Sequence, residues 1–270
     1  MGSEMLELGG TSRQAMAAAR TSLDLALKGK SDSEIAKFAA DLFTALDALD
    51  SSTPLRRAIT DASRDAKDRA KLVSDVFSKG APSVTNFIGE LTQLKWSAPT
   101  DLVDTIEQLA VEAEASAANV SGDLDRLEEE LFAFSRIVSS DSELRQALSS
   151  STYSAEGKRV LAAKIFGGKV APATGRVLGH LVGGLRGRNL EATINFYIKA
   201  TAARRNRLIE TVKSAIELSS QQREKLAATL AAKIGQQVRL NIEIDPTVIG
   251  GISVRFADEL DRKSTRLNSS

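Results

Sequence analysis

The chain contains no cysteine, which excludes a disulfide framework, a thiolate metal site and a cysteine nucleophile. It has a single histidine, His180, so no multi-histidine metal cage can form. No apolar run approaches the roughly 18 residues that cross a bilayer, and the N-terminus shows no signal-peptide core. Charge of either sign is not in excess: 36 basic against 35 acidic residues give +1, which lacks the overall basic footprint of a nucleic-acid binder. Aromatics are 4% and prolines 5 in 270 residues. What is present is alanine, with 42% apolar and 26% charged residues, the composition of a mostly helical globular protein able to bury a core.

The sequence matches itself. At an offset of 89, Leu42-Phe43 falls on Leu131-Phe132, Leu55-Arg56 on Leu144-Arg145, Ala58 on Ala147, Arg69 on Lys158, Leu72 on Leu161 and Phe77 on Phe166. Ala81-Pro82 meets Ala171-Pro172 at 90, and Leu102 meets Leu190 at 88. A shared register through helix, turn and helix indicates duplication, with a period too long for a solenoid repeat. Each copy is therefore expected to be a small helical bundle, with the same helix order in 32–116 and 121–204. Residues 31–118 carry 9 basic and 15 acidic side chains (−6), and residues 119–210 carry 14 and 10 (+4).

Within the first copy, Ile35, Phe38, Ala39, Leu42, Phe43, Leu46 and Leu49 follow the helical i, i+3, i+4, i+7 pattern. Thr53 with Pro54 reads as the start of the next helix, Ala66 to Phe77 as a third, Pro82 as the start of a fourth, and Pro99 to about Ala118 as a fifth. In the second copy, breaks are expected near Ser140-Asp141, Tyr153-Ser154, Gly167-Gly168 and Gly187-Arg188-Asn189. A leading helix over about 11–28 takes Thr11 or Ser12 as its cap. The last third changes period. Val238, Leu240, Ile242 and Ile244 alternate as on a half-buried strand, and Ile252, Val254 and Phe256 repeat the pattern after Gly250-Gly251. Leu226, Leu230 and Ile234 mark a helix capped by Ser219 or Ser220. Residues 206–216 fit either helix or strand.

No grouping carries catalysis. His180 has neither Cys nor an orienting Asp beside it and reads as a partly buried or surface imidazole. Phe166-Gly-Gly-Lys169 lacks the first Gly and the Ser/Thr of a phosphate loop and reads as a helix C-cap. Glu128-Glu129-Glu130 reads as a solvated helix face. The basic stretch Arg186, Arg188, Lys199, Arg204, Arg205 and Arg207 would suit phosphates, and a helical nucleic-acid-binding adaptor using 186–207 is the alternative function. Glu191 and Glu210 interrupt that stretch, and no aromatic platform accompanies it. No metal, cofactor or small-molecule ligand is expected.

The C-terminal third resembles the delta subunit of bacterial F-type ATP synthases, a family that includes the mitochondrial oligomycin-sensitivity-conferring protein. The resemblance rests on Val238 and Leu240, then Ile244-Asp245-Pro246, Ile249-Gly250-Gly251-Ile252, Val254 and Arg255, departing mildly at Ala257. Upstream, Tyr197, Ala203-Arg204-Arg205, Val212, Ala215, Leu218-Ser219 and Gln222 also look like the family. The duplicated bundle is similar to the longer actinobacterial members. The resemblance implies a mainly α fold with a small α+β C-terminal part: two tandem helical bundles, then a short mixed unit. It divides the chain into 1–118, 119–206, 207–260 and a tail, 261–270, whose Asp261-to-Ser270 string reads as adapter-derived. It further implies a non-catalytic stator on the cytoplasmic face of the bacterial plasma membrane, without a membrane span. The partners implied are the N-terminal helices of alpha subunits and the b subunit of the peripheral stalk, with Tyr197, Arg204 and Arg205 as contact candidates.

The Asp245-to-Gly251 turn generates a test. Pro246 cannot donate to a ladder, and Gly250-Gly251 supply backbone freedom. Gly251→Val should destabilise the C-terminal part by about 1–3 kcal/mol. The melting profile should change while the helical bundles stay folded, and a wild-type profile counts against this reading.

Overall fold

In the computed structural model, residues 8–214, 218–234, 239–244 and 252–255 are described, the majority of them helical. Contacts divide the chain into two compact units, 1–201 and 202–270.

The first unit begins with α1 (Gly10–Leu27), α2 (Asp32–Ser51), α3 (Thr53–Thr60), α4 (Ala66–Val76), α5 (Pro82–Gln93) and α6 (Pro99–Ser121). There follow α7 (Leu124–Ser140), α8 (Ser142–Ser149), α9 (Ala155–Phe166), α10 (Pro172–Gly183) and α11 (Leu190–Leu208), which crosses the division between units. The order of long and short helices in α2–α6 recurs in α7–α11. The periodic residues do what their spacing predicts: Ile35, Phe38, Ala39, Leu42, Phe43, Leu46 and Leu49 are all buried on α2. Local chemistry sets the ends. Ser31 and Glu34 form a reciprocal capping box on α2. Asp141 and Ser154 accept from the backbone N–H groups of Leu144 and Gly157, so each closes one break and opens the next helix.

Two caps differ from expectation. The α1 cap is Gly9, because the Ser12 hydroxyl is used elsewhere: it donates to Asp101 Oδ2 at 2.7 Å and accepts from Ser97 N at 2.7 Å. The α3 cap is Ser52, one residue before Thr53, and its hydroxyl accepts from Leu55 N–H. α6 also runs past Ala118 to Ser121, where Gly122 at φ 84° ends it in the left-handed conformation. The border expected at 118/119 therefore lies inside α6. α6 packs on α1, α2 and α3 and also on α7 and α10, so it is common to both halves of the unit.

The second unit settles residues 206–214: α11 ends at Leu208 and β1 spans Ile209–Ser214. α12 (Ser220–Ile234) leads to β2 (Arg239–Ile244), and β3 is Ile252–Arg255. The sheet order is β2-β1-β3. β1 is parallel to β2, with Val212 opposite Ile242, and antiparallel to β3, with Val212 opposite Val254. The parallel pair requires a crossover, and α12 is that crossover. Ser219 caps α12: its hydroxyl accepts from Gln222 N–H while Gln222 Oε1 accepts from Ser219 N–H at 2.9 Å.

Candidate functional site

Apart from Asp104, residues 102–119 of α6 are buried around the whole helix, which its run of alanines permits by keeping every face thin. Three glutamates interrupt the run. Glu107, Glu112 and Glu114 are all 0% exposed. At 3.6 residues per turn, Glu107 and Glu114 share a face, and Glu112 lies about 140° round the helix. Each meets arginine. Glu112 Oε1 accepts from Arg20 of α1 through Nε at 3.0 Å and Nη2 at 2.7 Å, and from Gln108 Nε2 at 2.8 Å. Its Oε2 is buried without a partner. Glu114 is gripped by Arg176 of α10, with Nε and Nη2 at 2.9–3.0 Å. Glu107 accepts from Arg186 Nη1 at 2.6 Å and, on both oxygens, from Arg188 Nη2 at 2.5 and 2.7 Å.

The α10–α11 loop is shaped to deliver those two arginines. Arg186 sits at φ 52°, a left-handed conformation that costs roughly 1–2 kcal/mol for a residue with a Cβ. Its guanidinium also reaches Asp104 Oδ1 at 3.0 Å and Asp50 Oδ1 at 3.2 Å. Arg188 lies over the Phe196 ring, 4.5 Å from its centre. Burial, then the Glu107 charge, raises the Tyr197 hydroxyl well above its ordinary pKa of 10.0. Burial likewise raises the Asp104 and Glu114 carboxyls against the pull of their arginines.

A second seam joins α2 to α9, α10 and the loop after α10. Phe43 stacks on His180 with ring centres 3.7 Å apart and planes within 10°. Asp47 faces Arg159 at 3.8 Å, and Asp50 faces Arg186. Burial, followed by repulsion from Arg159 and Arg176, lowers the His180 pKa from 6.5 to about 4. The imidazole is thus a neutral stacking plate at neutral pH.

The second unit presents an open groove of about 430 Å³ between Arg223, Glu224 and Ala227 of α12 and Leu240, Ile242 and Ile244 of β2. The alternating residues of β2 share that face as their spacing predicts. Ile244 is 58% exposed.

The sequence-derived site residues fall in different places. Leu240 and Ile244 line the groove. Ile252, Val254 and Arg255 belong to β3. Val238, Asp245, Pro246, Ile249, Gly250 and Gly251 lie outside the described residues. Of the contact candidates, Tyr197 and Arg204 are buried and Arg205 is half-buried, so the first two present no surface to a partner in the isolated chain. Exposed apolar side chains occur instead at Leu25 and Val76, and at Phe132, Ile137 and Val160. Arg186 and Arg188, the start of the basic stretch, are committed to Glu107 and offer no phosphate surface. The buried glutamates were missed because no local pattern pairs residues 62 to 92 positions apart. Alanine all round 102–119 was the available signal. Among the described residues, no cluster of three or more His, Asp or Glu could hold a metal ion, and no helix is long and apolar enough to cross a membrane.

Comparison with known proteins supplies the context. The family model described as ATP synthase delta (OSCP) subunit matches residues 110–264. A protein named ATP synthase subunit delta from Streptomyces griseus is 42% identical over 250 residues, covering 92% of each chain. A protein of that name from Kineococcus radiotolerans is 36% identical over 262 residues, covering 96% of this chain and 95% of its own. One from Thermobifida fusca is 35% identical over 221 residues, 82% of each.

Two measurements test the buried network. Glu107→Leu takes the carboxylate from Arg188 and leaves Arg186 only Asp104 and Asp50, and should cost about 3–5 kcal/mol in denaturant unfolding. The His180 shift fixes a pH dependence. Its folded pKa lies below the unfolded value, so the unfolded chain takes up the proton first on acidification. The contribution is complete above about pH 6.5, declines towards pH 4, and amounts to up to about 3 kcal/mol. His180→Leu should flatten the stability profile across that window. The raised carboxyls titrate in the opposite sense and are common to both proteins, so they cancel in the difference.

Proposed function

The chain belongs to the ATP synthase delta (OSCP) subunit family and is a non-catalytic peripheral-stalk subunit of an F-type ATP synthase; from that premise, we propose how its two units divide the stator's work. The observation that carries the reading is similarity along 92% of the chain, the first hundred residues included, to proteins named ATP synthase subunit delta. In this reading the helical unit holds N-terminal helices of alpha subunits at the catalytic head. The groove between α12 and β2 accepts a helix of the b subunit, with Leu240, Ile242 and Ile244 as its apolar floor. The protein acts on the cytoplasmic face of the bacterial plasma membrane, attached through its partners. Tyr197 and Arg204, both buried, support the fold from inside.

Residues 10–121 and 99–208 are two copies of one bundle sharing α6, which is last in the first copy and first in the second. Packing supports this: α1 lies on α5 as α6 lies on α10. The copies differ in availability. His180 of α10 is covered by Phe43 of α2, whereas Glu90, ninety positions earlier on α5, is exposed. The first copy is therefore the one that grips the head.

Because the copies share α6, the test uses the full chain. Titrated with an alpha N-terminal peptide, Glu90→Arg should weaken binding at least about tenfold, or 1.4 kcal/mol, and Phe132→Ala should change it little. The reverse result assigns the grip to the second copy. Ile244→Asp should leave the peptide affinity intact and abolish binding to the b subunit; retained b binding removes the α12–β2 groove from the stator.

A further inference from the structure

The first copy carries a pocket whose lining does not include Glu90, the α5 position assigned above to the head. It is an open cavity of about 590 Å³ whose lining includes Pro54, Arg57, Asp61, Arg64, Trp96 and Pro99. Its walls are fixed from below. Arg69 is buried and donates to three carbonyls: Nε to Thr92 O at 2.8 Å, and Nη1 to Asp61 O at 2.9 Å and Arg64 O at 2.6 Å. One guanidinium thus ties the turn after α3 to the end of α5. Trp96 is half-buried, and its indole N–H is already satisfied by Leu91 O at 2.9 Å, so the ring is held in place and needs no polar partner from a ligand.

The rim is cationic. Arg57 is exposed in the last turn of α3. Arg64 is 55% exposed and only loosely held by Asp61, at 3.6 Å. The Asp61 carboxylate is itself engaged by the Ser63 N–H and hydroxyl at 2.9 and 2.7 Å, which reduces its competition for the arginines. The set is peculiar to this copy. At the 89–90 offsets, Arg57, Asp61, Arg64 and Trp96 become Gln146, Ser150, Tyr153 and Arg186. The surrounding copy is acidic, at −6 over residues 31–118. A long polyanion would feel that charge across a Debye length of about 8–10 Å, whereas a short anionic segment meets only the local arginines.

We propose that this pocket docks a short acidic segment of another polypeptide, with a carboxylate on Arg57 and Arg64 and an apolar side chain against the Trp96 ring. Tryptophan and arginine are the residue types that dominate interface energetics once a docked segment excludes water from them. Planar guanidinium pairing selects carboxylates by geometry as well as charge.

Trp96 is the chain's only tryptophan, so its fluorescence reports this pocket alone. The full-length chain is titrated with a short synthetic Glu/Leu peptide, a Lys/Leu peptide of equal length and a single-stranded oligonucleotide. The expected result is a saturable emission shift with the Glu/Leu peptide only, weakened by salt and at least about tenfold weaker in Arg57→Ala/Arg64→Ala. Both arginines are exposed, so the double variant should melt like the parent, which the same samples check. No shift, an equal affinity in the double variant, or an equal response to the Lys/Leu peptide overturns the proposal. An equal or stronger response to the oligonucleotide overturns it too, in favour of phosphate binding.

Discussion

Three carboxylates buried on one helix set the conditions for everything packed around α6. An isolated charge at 0% exposure is too costly to persist, so each glutamate requires its arginine. Arg20 has to arrive from α1, Arg176 from α10, and Arg186 and Arg188 from the loop beyond. Such pairs add little net stability, since desolvation offsets most of the attraction. Their effect is on alternatives. Sliding α1 or α10 by one turn would leave a buried carboxylate facing alanine, and an Ala-rich helix by itself offers few knobs to prevent that slide. The apolar contacts supply the driving force, and the ion pairs select one register from several of similar packing.

The same distinction explains what could be read in advance. Periodicity reports which face is buried, so Ile35 to Leu49 on α2 and Leu240 to Ile244 on β2 behave as their spacing predicts. Side-chain caps announce helix starts, and those at Asp141, Ser154 and Ser219 are where a break was expected. The misreadings share a cause. Ser12 looked like a cap and instead serves Asp101, 89 positions away. Arg186 and Arg188, the start of the stretch behind the alternative phosphate reading, neutralise Glu107. In each case a local signal was overridden by a partner distant in sequence, and one sequence without an energetic map of the fold contains no record of that partner. The 118/119 border falls inside α6 because the helix runs on to Gly122, and nothing in the sequence between Ala118 and Asn119 stops a helix.

A stator has to resist rotation without doing chemistry, and the helical unit meets that need with specific side-chain contacts between its halves. The α2–α10 seam combines an aromatic stack with two acid–arginine contacts, and α6 runs continuously behind it. A load on either half is shared by backbone hydrogen bonds within α6 and by side chains across the seam.

The shared helix also limits how such a protein can shrink. A cut at 118/119 would divide α6. A deletion that keeps every helix whole must instead join the end of α1 to the start of α7, exchanging the Gly29 turn for the Gly122 turn, both left-handed. α1 would then take the place of α6 beside α10. It contains a single acidic residue, Asp24, near its C-terminal end, so Arg176, Arg186 and Arg188 would lose their glutamates together. Removing α2–α6 would therefore also demand replacement of those arginines.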